Sequence, residues 1–160
     1  MNKKEYSSKQ EKMIAEYLDW NVVTGSGSRT TFIGDVVSDE WLGECKTHTT
    51  PGHSILFNSN VWDKISKEAS SRFKYPVLFC DDGSQKVKNT FCMFPATVYV
   101  QDMHSIKLDS THAKHLTLQL PTLLQHFEHT DGYNVVIETS VNNKQVRITN
   151  LETFRNVVVL

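Results

Sequence analysis

An α/β fold, with helices packed on a central mixed sheet, follows from three observations on the sequence. Helical periodicity marks the N-terminal segment and returns after residue 60. Runs of β-branched residues bounded by turn residues lie between and after these helices. A short uninterrupted apolar run, the signature of a strand buried on both faces, follows the second helix.

In chain order, Met13, Ile14, Tyr17 and Leu18 recur at helical spacing and predict a helix from Lys4 to Trp20, with Ser7 or Ser8 as its cap. Asn21-Val22-Val23 leads into Thr24-Gly25-Ser26-Gly27-Ser28, a flexible loop by composition. Arg29 to Val37 reads as a strand, Ser38-Asp39-Glu40 as a turn, and Trp41 to Lys46 as the returning strand of a hairpin. Thr47 to Asn60 is polar, contains Pro51-Gly52, and reads as a loop. Val61 to Phe73 is helical, with Trp62, Ile65 and Ala69 on one face.

Pro76 to Cys80 is the buried apolar strand, and Asp81-Asp82-Gly83-Ser84 is a turn. Strands are expected near Asn89–Phe94 and Ala96–Val100, while His112–Leu120 fits either a strand or a helix. Pro121 suits the first turn of a short helix running to about His129. Tyr133–Val141 and Lys144–Thr149 form a hairpin about Asn142-Asn143. Leu151–Leu160 is either a last helical turn or an edge strand.

A chain of 160 residues is the size of one domain and buries its own core. Its formal net charge of −1 argues against a general electrostatic coating of nucleic acid, but leaves room for a basic groove beside an acidic metal site. Cys45, Cys80 and Cys92 are odd in number and irregular in spacing, which speaks against a disulfide framework and for a reducing compartment. No apolar run approaches the roughly 18 residues needed to cross a bilayer, and the polar N-terminus does not read as a signal peptide. The expectation is a cytoplasmic protein with no membrane partner.

The chemistry concentrates in Gly34-Asp35 and Glu44-Cys45-Lys46. Strand alternation puts Glu44 and Lys46 on one face and turns Cys45 to the other. The hairpin brings Asp35 beside Glu44, and Gly34 permits a close approach of backbone or substrate. Converging carboxylates can hold a divalent ion, and a neighbouring lysine can position water or offset phosphate charge. An isolated Glu-x-Lys is, on its own, more often a same-face ion pair.

The ordered series Thr24-Gly25-Ser26-Gly27-Ser28, Gly34-Asp35-Val36 and Leu42-Gly43-Glu44-Cys45-Lys46-Thr47 resembles the Hjc-type Holliday junction resolvases, especially their phage-encoded relatives, within the PD-(D/E)XK nuclease superfamily. Gln10 to Leu18 is similar to the first helix of that family, Trp62 to Ala69 to the following helix of phage members, and Tyr75-Pro76-Val77-Leu78 to the next strand. The resemblance covers roughly the first half of the chain. It implies a restriction-endonuclease-like central mixed β-sheet flanked by helices, with extra C-terminal strands, and a magnesium-dependent endodeoxyribonuclease in which manganese substitutes.

Under that resemblance Asp35 and Glu44 are metal ligands, Lys46 is the catalytic lysine, and Glu11 completes the site from the first helix. Ser26 and Ser28 lie on a loop that contacts DNA near the cut, and Arg29 is a further DNA-binding candidate. Gly34 stands where the family's motif has proline. The chain is expected to form a single nuclease domain, 1–160, with a catalytic core at 1–84. Residues 85–160 extend the sheet and are available for dimerisation or DNA recognition. Resolution of a four-way junction by paired symmetric cuts implies a two-fold homodimer, acting in the cytoplasm, including a host cytoplasm if phage-encoded.

Other readings remain open at this level. Glu11 alone is a solvated helix glutamate, and Glu16 competes for its role. Arg29, Lys64, Lys67, Arg72 and Lys74 line a DNA groove or simply a solvated face. His48 and His53 either touch phosphate or sit in surface loops. His112-x-x-His115 and His126-x-x-His129, with Cys80 and Cys92, fit no zinc spacing. Phe91, Phe94, Tyr99 and Phe127 are expected to fill the core rather than stack bases. The C-terminal Val157-Val158-Val159-Leu160 either joins a dimer interface or packs inward. The alternative functions are a site-specific homing or restriction-like endonuclease, and a non-catalytic DNA- or protein-binding module on the same fold.

Overall fold

The computed structural model describes residues 2–23, 34–109, 114–128 and 132–158. Helix α1 (Lys3–Leu18) starts at Asn2 rather than at Ser7 or Ser8. The Asn2 side chain accepts from the Glu5 N–H, and the Glu5 carboxylate accepts from the Asn2 N–H. This reciprocal box satisfies two donors that the first turn leaves open, and it draws the helix start upstream. Gln10, Ile14, Ala15 and Leu18 are its buried residues.

Strands β1 (Asn21–Val22), β2 (Val36–Val37) and β3 (Trp41–Lys46) are antiparallel neighbours, so the hairpin read from the sequence is present. Ser26, Ser28, Arg29 and the first part of the expected strand lie outside the described residues. The loop reading of Thr47–Asn60 needs correction, because it contains β4 (Ser54–Asn58), paired antiparallel with β8 (His115–Gln119). Ile55 and Phe57 alternate inward there, a period too short to stand out from its polar flanks. Asn58 ends this strand and caps α2 (Ser59–Ser71), its Oδ1 accepting from the Asn60 and Val61 N–H groups.

Strand β5 (Tyr75–Asp81) runs parallel to β3, and β6 (Thr90–Pro95) returns antiparallel to β5. The strand expected over Ala96–Val100 is not formed: the Val98 N–H turns back to the Pro95 carbonyl at 3.1 Å. Strand β7 (Met103–Lys107), not anticipated, runs parallel to β9 (Asn134–Val141) at the sheet edge. Its mixed sequence carries no long apolar run to betray it. The ambiguous 112–120 segment becomes strand β8, followed by α3 (Leu120–Glu128). The β9–β10 (Lys144–Asn150) hairpin turns through Asn142 and Asn143, with φ of 51° and 63°. Two consecutive left-handed residues match the twist of a tight hairpin, and asparagine tolerates them.

Among the described residues the result is a mixed eight-stranded sheet, β1-β2-β3-β5-β6-β10-β9-β7, with the two-stranded β4–β8 ribbon beside it. On one face, Leu42, Leu78 and Met93 pack against Trp62 and Ile65 of α2, Ile55 and Phe57 of β4, and Leu123 of α3. On the other, Cys45, Val77, Phe79 and Phe94 pack against Ile14 of α1 and Phe154 of α4 (Leu151–Val158). Phe154 meets Trp20, Trp41, Phe79 and Phe94 with ring centroids 5.0 to 6.0 Å apart, within the range of favourable aromatic contacts. The chain end is thus a helix whose Phe154 and Val157 pack inward. No helix among the described residues is long and apolar enough to cross a membrane.

Candidate active site

Strand β3 lies between β2 and β5 and supplies the site. Its odd positions Trp41 and Cys45 are buried in the α1–α4 layer. Its even positions begin with Leu42 in the α2 layer and continue, by alternation, with Glu44 and Lys46. Leu42 is fully buried, Glu44 is half-buried and Lys46 is exposed. The strand therefore carries its even side chains from the core out to solvent.

Asp35 sits one residue before β2. Its N–H donates to the Gly43 carbonyl at 2.8 Å, and its Oδ2 accepts from the Cys45 N–H at 2.8 Å. The β2–β3 register pairs Val36 with Gly43, so one further step sets Asp35 opposite Glu44. Two glycines fix this approach. Gly34 has φ +116°, and a Cβ there would lie 2.7 Å from Leu42 Cδ1. A Cβ at Gly43 would lie 2.6 Å from Phe79 Cε2 and 2.8 Å from Val36 Cγ2. The tight approach at Gly34 is thus made by Leu42, a core side chain.

Lys46 Nζ lies 3.3 Å from Glu44 Oε1. The ordinary ion pair is therefore present, but it is not alone. Burial raises the Asp35 carboxyl above its usual range, against the pull of the Cys45 N–H and the Lys46 and Lys64 charges. Burial, then the Asp35 charge, raises Glu44, opposed by Lys46 and Lys64. Glu11 of α1 is pushed up from 4.5 to about 7 by burial, and then by the charges of Asp35 and Glu44. Glu11, rather than the exposed Glu16, is the α1 glutamate whose carboxyl senses this pair. Three carboxyls thus resist ionisation together and are ready to gain from a cation.

The remaining sequence candidates divide. Lys64, on α2, is close enough to lower both Asp35 and Glu44. Lys74 belongs elsewhere: its Nζ donates to the carbonyls of Ser38 and Asp39, at 2.7 and 2.8 Å, beyond the far end of β3 from Lys46. Arg72 pairs with Glu68 at 4.0 Å. His115 Nδ1 accepts from the Ser59 N–H at 3.4 Å, while His112 and His129 lie outside the described residues. A cleft of about 210 Å³ opens beside Lys46, lined in part by His48, Asn58 and Asp81.

One residue escaped the sequence reading. Gln10 is buried on α1, and its Nε2 donates to the Lys46 carbonyl at 2.8 Å. It ties the helix bearing Glu11 to the strand bearing Lys46. The available signal was a polar residue in line with Ile14 and Leu18, on the face that periodicity assigns to the core.

Among the described residues, no group of three or more His, Cys, Asp or Glu side chains is gathered closely enough to hold a metal by itself. In comparisons with known proteins, no family model matches the chain, and no curated protein or solved structure matches it.

Proposed function

We propose that the chain is a metal-dependent, structure-specific DNA endonuclease of the PD-(D/E)XK type that resolves Holliday junctions or other branched DNA. The observation that carries this reading is the meeting of Asp35, Glu44, Glu11 and Lys46 from three elements at one end of the sheet. An ion pair made only for stability has no use for two further carboxyls whose ionisation burial makes harder. In this reading the mixed sheet is the restriction-endonuclease-like one, with residues 1–84 as the catalytic core and 85–160 as its extension.

The donor set fits magnesium. That ion commonly takes one or two protein carboxylates and completes its shell with water and phosphate oxygens, so a three-carboxylate cage is not required. Asp35 and Glu44 would hold it, with manganese as substitute. When bound, it supplies an activated water and charge neutralisation at the phosphate. Lys46 orients the attacking water, and its charge faces the phosphoryl oxygens. Glu11, protonated in part near pH 7, would release its proton to solvent beside a bound cation. Asp35 is held for its task by the Cys45 N–H, which leaves its carboxylate directed by the backbone of β3. Ser26, Ser28 and Arg29 contact the DNA backbone near the cut, and a homodimer supplies two sites for two cuts.

The test is cleavage of a labelled synthetic four-way junction beside matched linear duplex, with magnesium, manganese or EDTA, and with Lys46→Ala as control. Symmetric, metal-dependent nicks on the junction alone, lost in the variant, establish the resolvase. Discrete fragments from one site in linear DNA move the reading to a site-specific homing or restriction-like enzyme. No cleavage of any DNA form with either metal leaves a binding module and ends the nuclease reading.

A further inference from the structure

We propose a second ligand site, for a hard cation of the sodium, potassium or calcium class, held between α1 and the 81–85 turn by Gln10 Oε1, Asp81 Oδ2 and Gln85 Oε1. Asp81 borders the cleft beside Lys46, but none of the three donors is Asp35, Glu44 or Glu11.

All three side chains are more than nine-tenths buried, and none of the three oxygens has a hydrogen-bond partner among the described residues. Buried polar atoms are nearly always satisfied, so three unsatisfied acceptors in one neighbourhood call for a ligand. Their orientation is fixed by the other half of each group. Gln10 Nε2 donates to the Lys46 carbonyl at 2.8 Å, and Gln85 Nε2 donates to the Tyr6 carbonyl at 2.6 Å. Carbonyls only accept, so neither amide can be turned to present its nitrogen instead. Asp81 Oδ1 accepts from Thr47 Oγ1 at 2.5 Å and from the Gly83 N–H at 3.0 Å, leaving Oδ2.

A ring of contacts links the groups that carry these atoms. Gln10 binds the carbonyl of Lys46, whose neighbour Thr47 binds Asp81. Asp81 binds the N–H of Gly83, and the Gly83 carbonyl accepts from the Tyr6 hydroxyl. Tyr6 is one helical turn before Gln10, and its carbonyl, to which Gln85 also reaches, is the helix acceptor for the Gln10 N–H. Alternation along β5 turns Asp81 to the same side as Val77 and Phe79, under α1.

The donor set decides the ligand class. One carboxylate and two amide carbonyls are hard oxygen donors, suited to alkali or calcium ions rather than to soft metals. Asp81 has no lysine or arginine partner within ion-pair distance among the described residues. An ordered water would donate to two of the oxygens but would bring no positive charge to the Asp81 carboxyl, whose ionisation burial opposes.

The experiment uses the full chain carrying Asp35→Asn, which weakens the other acidic site. Thermal unfolding is followed in tetramethylammonium chloride, then with sodium or potassium replacing it at constant ionic strength, and then with added calcium chloride. At least one of these ions should raise Tm by about 5 °C at saturating concentration, and Asp81→Asn should remove that rise. Gln85→Leu, which keeps side-chain bulk but removes the oxygen, should shift the ion titration to higher concentration even if Asp81→Asn fails to fold. Equal Tm values in all salts overturn the site. So does a rise that persists unchanged in Gln85→Leu, because the ion then acts elsewhere. Neither result depends on nuclease activity.

Discussion

β3 and β5 are parallel neighbours, and both carry acids towards their C-terminal ends, Glu44 on one and Asp81, followed by Asp82, on the other. Their environments differ. Asp82 is buried, and its Oδ1 accepts from the Ser84 N–H at 3.0 Å and the Ser84 hydroxyl at 2.6 Å. Asp81 Oδ1 takes the Thr47 hydroxyl and the Gly83 N–H. These carboxylates stitch the turn that leaves β5. Glu44 has one lysine beside it and two further carboxyls in its field, and it is half-exposed. At Asp82 and at Asp81 Oδ1 local donors satisfy the oxygens and the acids hold the turn, while Asp81 Oδ2 is left open for the ion proposed above. Where acids outnumber donors at an open edge, the arrangement gains from a ligand.

The comparison breaks most visibly at Lys46. Lys46→Ala should lower metal-dependent cleavage by about 10²–10⁴-fold while a gel-shift assay still detects DNA binding. Asp35→Asn should do the same and tighten binding, because it removes a negative charge facing phosphate. Cleavage at the parental rate in either variant would sink the site assignment. On the β5 side the effect should move from activity to stability. Asp82→Ala should cost about 1–3 kcal/mol in urea unfolding, with the cleavage rate per folded molecule unchanged.

A smaller effect sharpens the difference through pH. The Glu11 pKa is raised in the fold to about 7 from 4.5, so the folded state holds a proton that the unfolded chain releases. Stability contributed by this group is therefore greatest below about pH 4.5 and is lost as pH rises to about 7. Metal-free Tm should fall over that interval. Glu11→Gln should flatten the fall, and saturating magnesium should restore Tm on the alkaline side. The weakest discriminator is salt, under which DNA affinity should fall steeply as phosphate contacts are screened.

Much of this contrast was legible in the sequence. Alternation placed Glu44 and Lys46 together and Cys45 in the core; of the expected turn Asp81-Asp82-Gly83-Ser84 the last two residues bend, while Asp81 is the last residue of β5. The hairpin of β2 and β3 was readable because β-branched residues lead into an obvious turn. The ribbon strand β4 was not, since its partner β8 lies some sixty residues later and only that pairing makes five residues a strand. β7 was hidden for a similar reason, as an edge strand without an apolar run. The role of Gln10 was also hidden, because a buried amide declares itself only when the carbonyl it meets is known. Lys64 and Lys74 looked equivalent in sequence, yet the fold sends one to the acids and the other to the opposite end of β3.

Gly43 has no functional group, yet it lies between the side chains of Phe79 and Val36, with no room for even a methyl. In a saturation library selected for activity, position 43 should therefore tolerate as few substitutions as Asp35 or Glu44. Such a map would score it as catalytic, although it performs no chemistry. Measuring folded yield beside activity would separate the two: losses at Gly43 should track protein abundance, while losses at the acids should leave abundance intact.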